Sequence, residues 1–290
     1  GVINTMQFGL TGVGDEYTKL YSLFTYASLN KSKVVSPPNK TYKTNSPIEL
    51  YNAYADWDFN GSIIDGTTVP AGTTGYQQSI VRIEGTDSTS TPITVDTVRY
   101  QTVLSVADTT GFSVGDLVRV ESFQRFVDGY HMSGNKRGEL TFISEIGTGT
   151  ISVSPQLEFS YDSTQAAKIT KLNALKNCKV SNLVINAGGD TSFHSGITIA
   201  KADSPELNNV TINNPEDVGI QYQQVFNGRT IDSAVNNSTS PSNGTSGNTW
   251  TSGYGHTFLD ASRDCILSGS RFRNCVTATT GGNKYPGLNI

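Results

Sequence analysis

The chain has 290 residues, a net charge of −4, 29 Gly, 2 Met and only 16% charged residues. Abundant Gly, Thr, Ser and Asn are typical of a turn-rich all-β protein. The absence of Lys/Arg clusters argues against a nucleic-acid partner, and the absence of a long apolar run argues against a membrane partner. Three cysteines without CxxC spacing argue against a disulfide framework or a zinc site. Cofactor motifs are also absent, so we expect no metal and no cofactor.

Residues 1–78 are predicted to form a capping helix and the first strands. We expect a helix after Asp15, which can serve as its N-cap, because apolar residues recur there at a spacing of three to four. The stripe consists of Tyr17, Leu20, Tyr21, Phe24, Ala27 and Ser28. Short apolar runs around Ile48 and Ile63 then indicate strands. A helix at one end of a stack of strands can cap its open core.

Residues 79–166 are predicted to form a separate β module. The run SIVRIEG indicates a strand, and the residues after it alternate between apolar and polar with Gly-containing turns. The alternating apolar positions are Val103, Val106, Phe112, Val114, Leu117 and Val120. This pattern favours a small β-sandwich or barrel inserted between the first strands and the rest of the chain.

Residues 167–290 contain an internal repeat. The stretch Gly196–Asn214 aligns without gaps on Gly219–Asn237, 23 positions further on. Short alternating apolar runs with such a period, each closed by Asn or Gly, indicate a solenoid of stacked strands. An Asn recurs at the end of one strand in successive coils, and stacked Asn side chains can hydrogen-bond along the stack. These residues are Asn186, Asn213, Asn236 and Asn274. The final residues resemble the start of another strand, so we expect this part to be truncated at its C-terminus.

Two features resemble a known family. Phe8–Gly9 and the cluster Gly12, Gly14 and Asp15 before the predicted helix resemble the opening of pectate-lyase-like right-handed parallel β-helix proteins. Residues 111–122 and 138–161 are similar to an insertion common in β-helical bacteriophage tailspikes and tail fibres. The resemblance implies a right-handed parallel β-helix with an N-terminal capping helix and an inserted β module.

The same resemblance implies a function. Such a tailspike is an extracellular, homotrimeric part of the virion tail that contacts other tail or baseplate proteins. It binds bacterial surface polysaccharide (capsule, O-antigen or exopolysaccharide) and depolymerises it, usually by hydrolysis and sometimes by elimination. The family shares no transferable active-site motif, so candidate residues have to come from the geometry of the repeat.

Carboxylates are the catalytic candidates. Rungs of a parallel solenoid stack about 4.8 Å apart, so two carboxylates one or two rungs apart would span the roughly 5–9.5 Å that glycosidases need. One of them could have a raised pKa and donate a proton while the other stays ionised. The candidates near the turns of the coils are Glu216, Asp217, Asp260 and Asp264.

Polar and aromatic residues near the same coils are the candidates for substrate binding. The repeat alignment places Lys201, Gln224 and Asp260 in one column, and it places His256 on inward positions, as a core histidine. The full set of binding candidates is Lys201, Gln224, Arg229, Trp250, Tyr254 and Arg263. Under a lyase mechanism, Lys201, Arg229 or Arg263 would act as the base.

Two alternatives remain open from the sequence. The chain could be a non-catalytic β-helical virion adhesin or structural tail component, in which the polar columns only bind or only space the coils. It could also be a secreted polysaccharide lyase or glycosidase. Fold alone does not decide among these functions.

Overall fold

The structure is a computed structural model that describes residues 1–70, 78–123, 137–188, 194–238, 253–275, 277–281 and 288–289. It contains helix α1 (Tyr17–Leu29) and two 3₁₀ helices, Thr5–Phe8 and Ser163–Gln165. None of the described helices is long and apolar enough to cross a membrane.

The strands are short, as the Gly- and Asn-rich turns predict. The N-terminal strands are β1 (Val2–Asn4), β2 (Lys33–Val35), β3 (Thr41–Lys43), β4 (Ile48–Tyr51), β5 (Asp56–Asp58), β6 (Ile63–Asp65) and β7 (Gln78–Glu84). Those that follow are β8 (Thr86–Pro92), β9 (Val103–Ser105), β10 (Leu117–Ser122), β11 (Arg137–Gly147), β12 (Thr150–Ser154), β13 (Lys168–Asn173) and β14 (Leu175–Lys176).

The remaining strands come from the repeats. They are β15 (Lys179–Ser181), β16 (Val184–Asn186), β17 (His194–Asp203), β18 (Glu206–Asn208), β19 (Thr211–Asn213), β20 (Val218–Phe226), β21 (Arg229–Ile231), β22 (Ala234–Asn236), β23 (Tyr254–Leu259), β24 (Cys265–Ser268), β25 (Arg271–Arg273), β26 (Thr277–Gly281) and β27 (Leu288–Asn289).

Three parallel sheets form a β-helix. The first sheet has the order β1-β2-β5-β15-β18-β21-β24-β27, the second β25-β22-β19-β16-β6-β3, and the third β26-β23-β20-β17-β7-β4. Each coil of chain contributes one strand to each sheet, as in β17–β18–β19 and β20–β21–β22. The predicted parallel β-helix is therefore confirmed.

The gap-free repeat alignment holds residue by residue. Ile197 pairs with Ile220 and Ile199 with Tyr222 across the third sheet, and all four side chains lie in the continuous core of the coil. The Asn column is confirmed in part: Asn213 Nδ2 donates to Asn186 Oδ1 (3.1 Å) and Asn236 Nδ2 donates to Asn213 Oδ1 (3.0 Å).

The sequence prediction is wrong for Asn274, which does not belong to the column of Asn186, Asn213 and Asn236. Arg273 is the register partner of Asn236, so Asn274 lies one position further along, where its Nδ2 donates to Asn237 Oδ1 (2.8 Å). Asn237 in turn donates to Asn214 (3.1 Å). All three members of this second ladder have left-handed backbone conformations, which Asn tolerates better than most residues.

Helix α1 closes the N-terminal end of the core. Leu20, Leu23, Phe24 and Ala27 are buried, and the Phe24 ring stacks on Trp57 with a centroid distance of 4.0 Å. Leu23 rather than Tyr21, which is exposed, completes the buried stripe. The cap is thus joined to the first coil mainly by apolar contacts.

The predicted N-cap is wrong by one residue. The cap position is Glu16, whose carboxylate accepts hydrogen bonds from the backbone N–H of Thr11 (2.6 Å) and Gly12 (3.1 Å). Asp15 instead accepts from the N–H of Tyr17 (3.2 Å) and of Asn45 (3.1 Å). The two carboxylates therefore hold the loop before the helix and the turn after β3.

A second body of antiparallel strands projects from the β-helix. Its order is β8-β13-β10-β11-β12-β9, and a bridge between Ile93 and Val106 joins β8 to β9, so the six strands close on themselves. They surround a separate apolar core that includes Ile93, Val120 and Ile169. This arrangement is the inserted module, and we call it the module below.

Strand pairing shifts both edges of the module relative to the sequence prediction. Residues 79–84, which the sequence prediction includes in the module, belong to strand β7 of the third sheet. Lys168–Asn173, assigned to the main coils, is strand β13 of the module. Both strands alternate apolar and polar residues, and this period is common to the two bodies, so the sequence pattern could not separate them. We propose Thr86–Asn173 as the extent of the module.

Candidate functional site

The outer side of the third sheet carries a polar surface. Arg82, Thr198, Gln221 and Thr257 are register partners on four consecutive strands. They alternate with core positions such as Ile199 and point away from the core. The next outward row contains Glu84 and Gln223. We call these six residues the polar face.

Hydrogen bonds join five of the six residues of the polar face into two separate groups. Thr198 Oγ1 is 2.6 Å from Ser79 Oγ and donates to Gln221 Oε1 (3.0 Å). Arg82 Nε donates to Glu84 Oε2 (2.7 Å), and Arg82 Nη2 donates to Gln223 Oε1 (3.4 Å).

The exposure of this face is graded. The side chains of Thr198, Gln221 and Thr257 are buried, whereas those of Arg82, Glu84 and Gln223 are half-buried. Thr257 Oγ1 is buried and finds no hydrogen-bond partner within the described residues. Buried polar groups are normally satisfied, so the unpaired Thr257 hydroxyl is unusual, but Arg82, Glu84 and Gln223 are the members of the polar face that a ligand can reach.

The predicted column of Lys201, Gln224 and Asp260 lies at the C-terminal edge of the polar face. All three residues have positive φ, between 49° and 56°, and they follow the paired positions Ala200, Gln223 and Leu259. The residue below Lys201 in this column is Gly85, where a Cβ would lie 2.5 Å from the carbonyl oxygens of both Asn173 and Lys201. The column is therefore a tight corner of the coil.

These three side chains are engaged by neighbours. Lys201 Nζ lies 3.1 Å from Glu84 Oε1 and 3.4 Å from Asp87 Oδ1. Gln224 accepts a hydrogen bond from Arg119 of the module. Asp260 Oδ2 accepts one from Gln223 Nε2 (2.6 Å). The column thus links the polar face to the module.

Glu216 and Asp217 lie at the opposite edge of the third sheet. Asp217 lies beside Gly253 of the neighbouring coil. Asp260 follows Gly253 by seven residues, so Asp217 and Asp260 are separated by seven residues along the strand direction. At about 3.3 Å per residue this is about 23 Å, far beyond the ~9.5 Å limit for a glycosidase pair. The structure therefore does not bring the predicted carboxylates together as one group.

Asp217 has the electrostatics of a proton donor. Burial raises the pKa of its carboxyl, opposed by a hydrogen bond from Ser195, whose Oγ lies 3.5 Å from Asp217 Oδ2. Tyr254, a predicted binding residue, is half-buried beside it and donates its backbone N–H to the Asp217 carbonyl oxygen (2.9 Å). Glu216 precedes Asp217 and is buried. Asp217, Glu216 and Tyr254 thus form a second group of predicted site residues, apart from the column of Lys201, Gln224 and Asp260.

Arg263 and Asp264 lie away from this edge, beyond the corner that contains Asp260. The guanidinium of Arg263 is buried between the coil and the module, 3.2 Å from Glu139 Oε2 and 3.4 Å from Glu158 Oε1. Asp264 is exposed, 3.6 Å from Arg263. Arg263 therefore joins the two bodies and is not free to contact a substrate or to act as a base.

The other predicted binding residues also lie apart. Arg229 is exposed on the outer side of the first sheet, where Glu206 and Ile266 are its register partners. Trp250 lies outside the described residues.

His256 is a core residue, as the repeat predicted. Its Nε2 lies 3.0 Å from Thr230 Oγ1, and its ring stacks on Phe258 at 4.3 Å. Burial lowers the pKa of His256 to about 3. The imidazole is therefore neutral at physiological pH and belongs to the packing of the coil.

Sequence reasoning missed the charged network between the coil and the module. Glu84 and Asp87 both contact Lys201, so their carboxylates are at most 6.5 Å apart, the sum of the two contacts. Arg119 contacts Asp87 (3.2 Å) and Glu121 (3.0 Å). The pKa of Asp87 lies below its ordinary value. Burial alone would raise this pKa, but the charges of Arg119 and Lys201 outweigh burial and lower it. Asp87 therefore stays ionised, which suits an ion pair and not a proton donor.

A signal for this network was present in the sequence. Arg82 and Glu84 are the charged residues of the alternating run SIVRIEG. Assigning that run to the coil would have placed both on its outer surface. Among the described residues, no group of three or more His, Cys, Asp and Glu side chains is arranged to hold a metal ion.

The chain is similar in fold to three bacteriophage tailspikes. They are the tailspike gp49 from Pseudomonas phage LKA1 (15% identity, TM-score 0.68, 94% of this chain and 51% of that one), the tailspike gp61 of Pseudomonas phage phi297 (12%, 0.64, 100% and 52%), and the Gp54 tailspike of Acinetobacter baumannii bacteriophage AP22 in complex with A. baumannii capsular saccharide (16%, 0.62, 93% and 46%). The chain spans about half the length of each.

The predicted resemblance to β-helical phage tailspikes is confirmed at the level of the fold. No protein-family model matches the sequence, and no curated protein matches it. The identities of 12–16% establish the shared fold, and function has to be argued from the site.

Proposed function

We propose that this chain is part of a phage tailspike that binds bacterial surface polysaccharide and depolymerises it by glycoside hydrolysis. The fold supports the first part, because it is that of three phage tailspikes, one of which was solved with a capsular saccharide. We further propose that the chain assembles as a homotrimer, attaches to other tail or baseplate proteins and acts outside the cell as part of the virion.

The single observation that carries the proposal is the polar face together with Asp217 at its edge. Saccharides present many hydroxyl groups, which amides, hydroxyls and guanidinium groups recognise by hydrogen bonding. Arg82 and Gln223 offer such groups from half-buried positions. A raised carboxyl pKa at the edge of such a surface, as at Asp217, is typical of a catalytic acid.

In the proposed reaction Asp217 donates its proton to the glycosidic oxygen of the bound chain as the bond to the leaving sugar breaks. Burial keeps a fraction of this carboxyl protonated at higher pH than an exposed aspartate. Glu216 is our candidate for the second carboxylate, the base that takes a proton from the water molecule whose oxygen bonds to the sugar carbon as the leaving sugar departs. Adjacent Cα atoms are about 3.8 Å apart, which allows the two carboxyl groups to lie within the ~5–9.5 Å range of glycosidases.

Binding without cleavage is the second candidate function. It is favoured by the other edge of the polar face. There Lys201 and Asp260 are already paired with protein groups, so neither is free to act as a catalytic group. Elimination has less support. Two of the bases considered for it, Lys201 and Arg263, are held in ion pairs with protein carboxylates, so they are not free to approach a sugar carbon.

The test uses purified protein on lawns of capsulated bacteria and on the isolated polysaccharides. Hydrolysis predicts cleared zones and new reducing ends without the ultraviolet absorbance of unsaturated uronates. Asp217→Asn should lower the turnover at least a hundredfold and leave binding intact. The matched control is Asp264→Asn, which changes an exposed carboxylate and should leave the rate unchanged.

Each outcome discriminates among the candidates. Binding without clearing on any host would favour the adhesin, and unsaturated products would favour a lyase. If the polysaccharide is cleaved but Asp217→Asn is as fast as the wild type, Asp217 is not the acid. The melting temperature of Asp217→Asn should match that of the wild type, which would show that unfolding does not explain a slow variant.

A further inference from the structure

A groove of about 500 Å³ lies at the junction of three segments. These segments are the residues after helix α1, the turn after β4, and the stretch that leads from the module back into the coil. Its polar lining consists of Lys31, Asn52, Tyr54, Asn173, Lys176 and Asn177. The volume falls in the range of about 300–1,000 Å³ that is typical of small-molecule sites. It is remote from Asp217, which lies at the opposite edge of the third sheet.

The walls of the groove are fixed by the backbone. Lys31, Asn52 and Asn177 all have left-handed conformations, with φ of 47°, 51° and 57°. The N–H of Asn52 donates to the Glu84 carbonyl oxygen (2.8 Å), and the N–H of Tyr54 donates to Ser28 Oγ of the helix (2.9 Å). Because three separate turns converge in held conformations, the groove exists before a ligand enters and little ordering is needed for binding.

The groove has a positive charge within a chain whose net charge is −4. Lys31 and Lys176 line it, and no Asp or Glu does. Both lysines are exposed, and neither takes part in an ion pair within the described part of the chain. Two carboxylates lie close to lining residues: burial and then Asp56 raise the pKa of Tyr54, and Asp203 is the register partner of Lys176.

The remaining lining groups suit a sugar. Three carboxamides offer both donors and acceptors to hydroxyl groups, and two of them are already positioned: Thr86 Oγ1 donates to Asn52 Oδ1 (3.1 Å), and Asn173 Nδ2 donates to Thr86 Oγ1 (3.3 Å). Half-buried Tyr54 adds an amphipathic ring. An ammonium group with amides and a tyrosine matches a saccharide that carries carboxylates better than it matches a bare anion.

We propose that this groove is a binding subsite for an acidic saccharide, with Lys31 and Lys176 contacting the carboxylates of uronic acid residues. The proposal rests on the proposed function and specifies its substrate class: an acidic bacterial polysaccharide held by the groove while the chain is cleaved elsewhere. The site holds the polymer at a distance from the reacting bond, so its loss weakens binding and leaves the chemical step unchanged.

The experiment measures binding to the full chain by isothermal titration calorimetry at low salt. The probes are tetragalacturonate, maltotetraose as the neutral control, and inorganic phosphate as the bare anion. We expect tetragalacturonate to bind and the other two to bind at least tenfold more weakly. The double variant Lys31→Met/Lys176→Met should weaken tetragalacturonate binding about tenfold, because two ammonium–carboxylate contacts of modest strength are lost. Lys43→Met, at an exposed lysine of β3 outside the groove, should leave binding unchanged.

The outcomes separate this subsite from the proposed function. If wild-type protein does not bind tetragalacturonate, or if the double variant binds it as tightly, the subsite is refuted, whatever the protein does to capsules. Equal binding of phosphate would show a general anion site and would also refute the saccharide assignment. Conversely, tetragalacturonate binding that depends on Lys31 and Lys176 would support the subsite even if no bacterial polysaccharide is cleaved.

Discussion

Arg263 joins the β-helix to the module, and replacing it with Met tests this directly. Its guanidinium donates to Glu139 Oε2 (3.2 Å), to the carbonyl oxygens of Leu140 (3.3 Å) and Gln156 (3.2 Å), and to Glu158 Oε1 (3.4 Å). Arg263 and Glu139 are both buried. Methionine keeps much of the apolar stem, so the change removes mainly the charge and these hydrogen bonds.

The magnitude follows from the surroundings of Glu139. Removing one partner of a buried ion pair costs about 3–5 kcal/mol, because the other charge is left buried. Glu139 keeps hydrogen bonds from the backbone N–H of Glu158 (2.7 Å) and Phe159 (3.1 Å) and from the Tyr161 hydroxyl (2.9 Å). We therefore expect Arg263→Met to lower the free energy of unfolding by about 3 kcal/mol at pH 7, the lower end of that range.

The loss should depend on pH. Burial already raises the pKa of Glu139 above its ordinary value of 4.5, against its hydrogen bonds and Arg263, and without Arg263 it rises further. A carboxyl with a raised pKa binds its proton more tightly in the folded state. Its contribution to stability is therefore greatest below the unfolded pKa and is lost as the pH rises through the folded pKa. Arg263→Met should consequently be less destabilised at pH 4 than at pH 7.

The assay is urea denaturation followed by circular dichroism at both pH values. Arg271→Met is the matched control, since Arg271 is exposed on the second sheet and its loss should change stability by less than about 0.5 kcal/mol. Adding Glu139→Gln to Arg263→Met removes the unpaired charge and should recover part of the loss. A cost below about 1 kcal/mol, or the same cost at pH 4 and pH 7, would refute the buried ion pair.

Three further predictions concern the coil itself. Because the pKa of His256 is about 3 instead of 6.5, stability should fall by about 1.4 kcal/mol per unit as the pH drops from 6.5 towards 3; His256→Phe should flatten the pH profile of the melting temperature. At Gly219 a Cβ would lie 2.4 Å from a Val235 methyl, so Gly219→Ala should cost about 3 kcal/mol. Gly14→Ala, in open space at φ 75°, should cost only about 1 kcal/mol in the same denaturation. Asn213→Ala breaks two hydrogen bonds of the Asn ladder and Asn186→Ala breaks one. The melting temperature should therefore fall about twice as far for Asn213→Ala as for Asn186→Ala. Equal decreases would count against the ladder.

The repeat made the coil predictable, because register in a parallel solenoid is a local property. A shift of 23 residues placed Ile197 on Ile220 and Ile212 on Val235, and the structure pairs the same residues. The prediction was wrong where the coil length changes, as at Asn274, because one extra turn residue moves every later side chain by one position. The edges of the module were misplaced for a related reason: β7 and β13 share the alternating period of both bodies.

The candidate site was predictable only in part. The column of Lys201, Gln224 and Asp260 followed from the repeat, because stacking relates equivalent residues in successive coils. The partners of these residues did not, because Arg119 and Asp87 come from the module, whose position on the coil leaves no local pattern. Arg263 and Glu139 are 124 residues apart in the chain. The raised pKa of Asp217 likewise depends on burial, which the sequence does not specify.

Hydrogen–deuterium exchange with a bound bacterial polysaccharide tests most directly whether the polar face of the third sheet and Asp217 form the substrate site. We expect slower exchange in β17, β20 and β23 and in residues 215–218, and no change in β19 and β22 of the second sheet. Protection confined to the first or second sheet would contradict it.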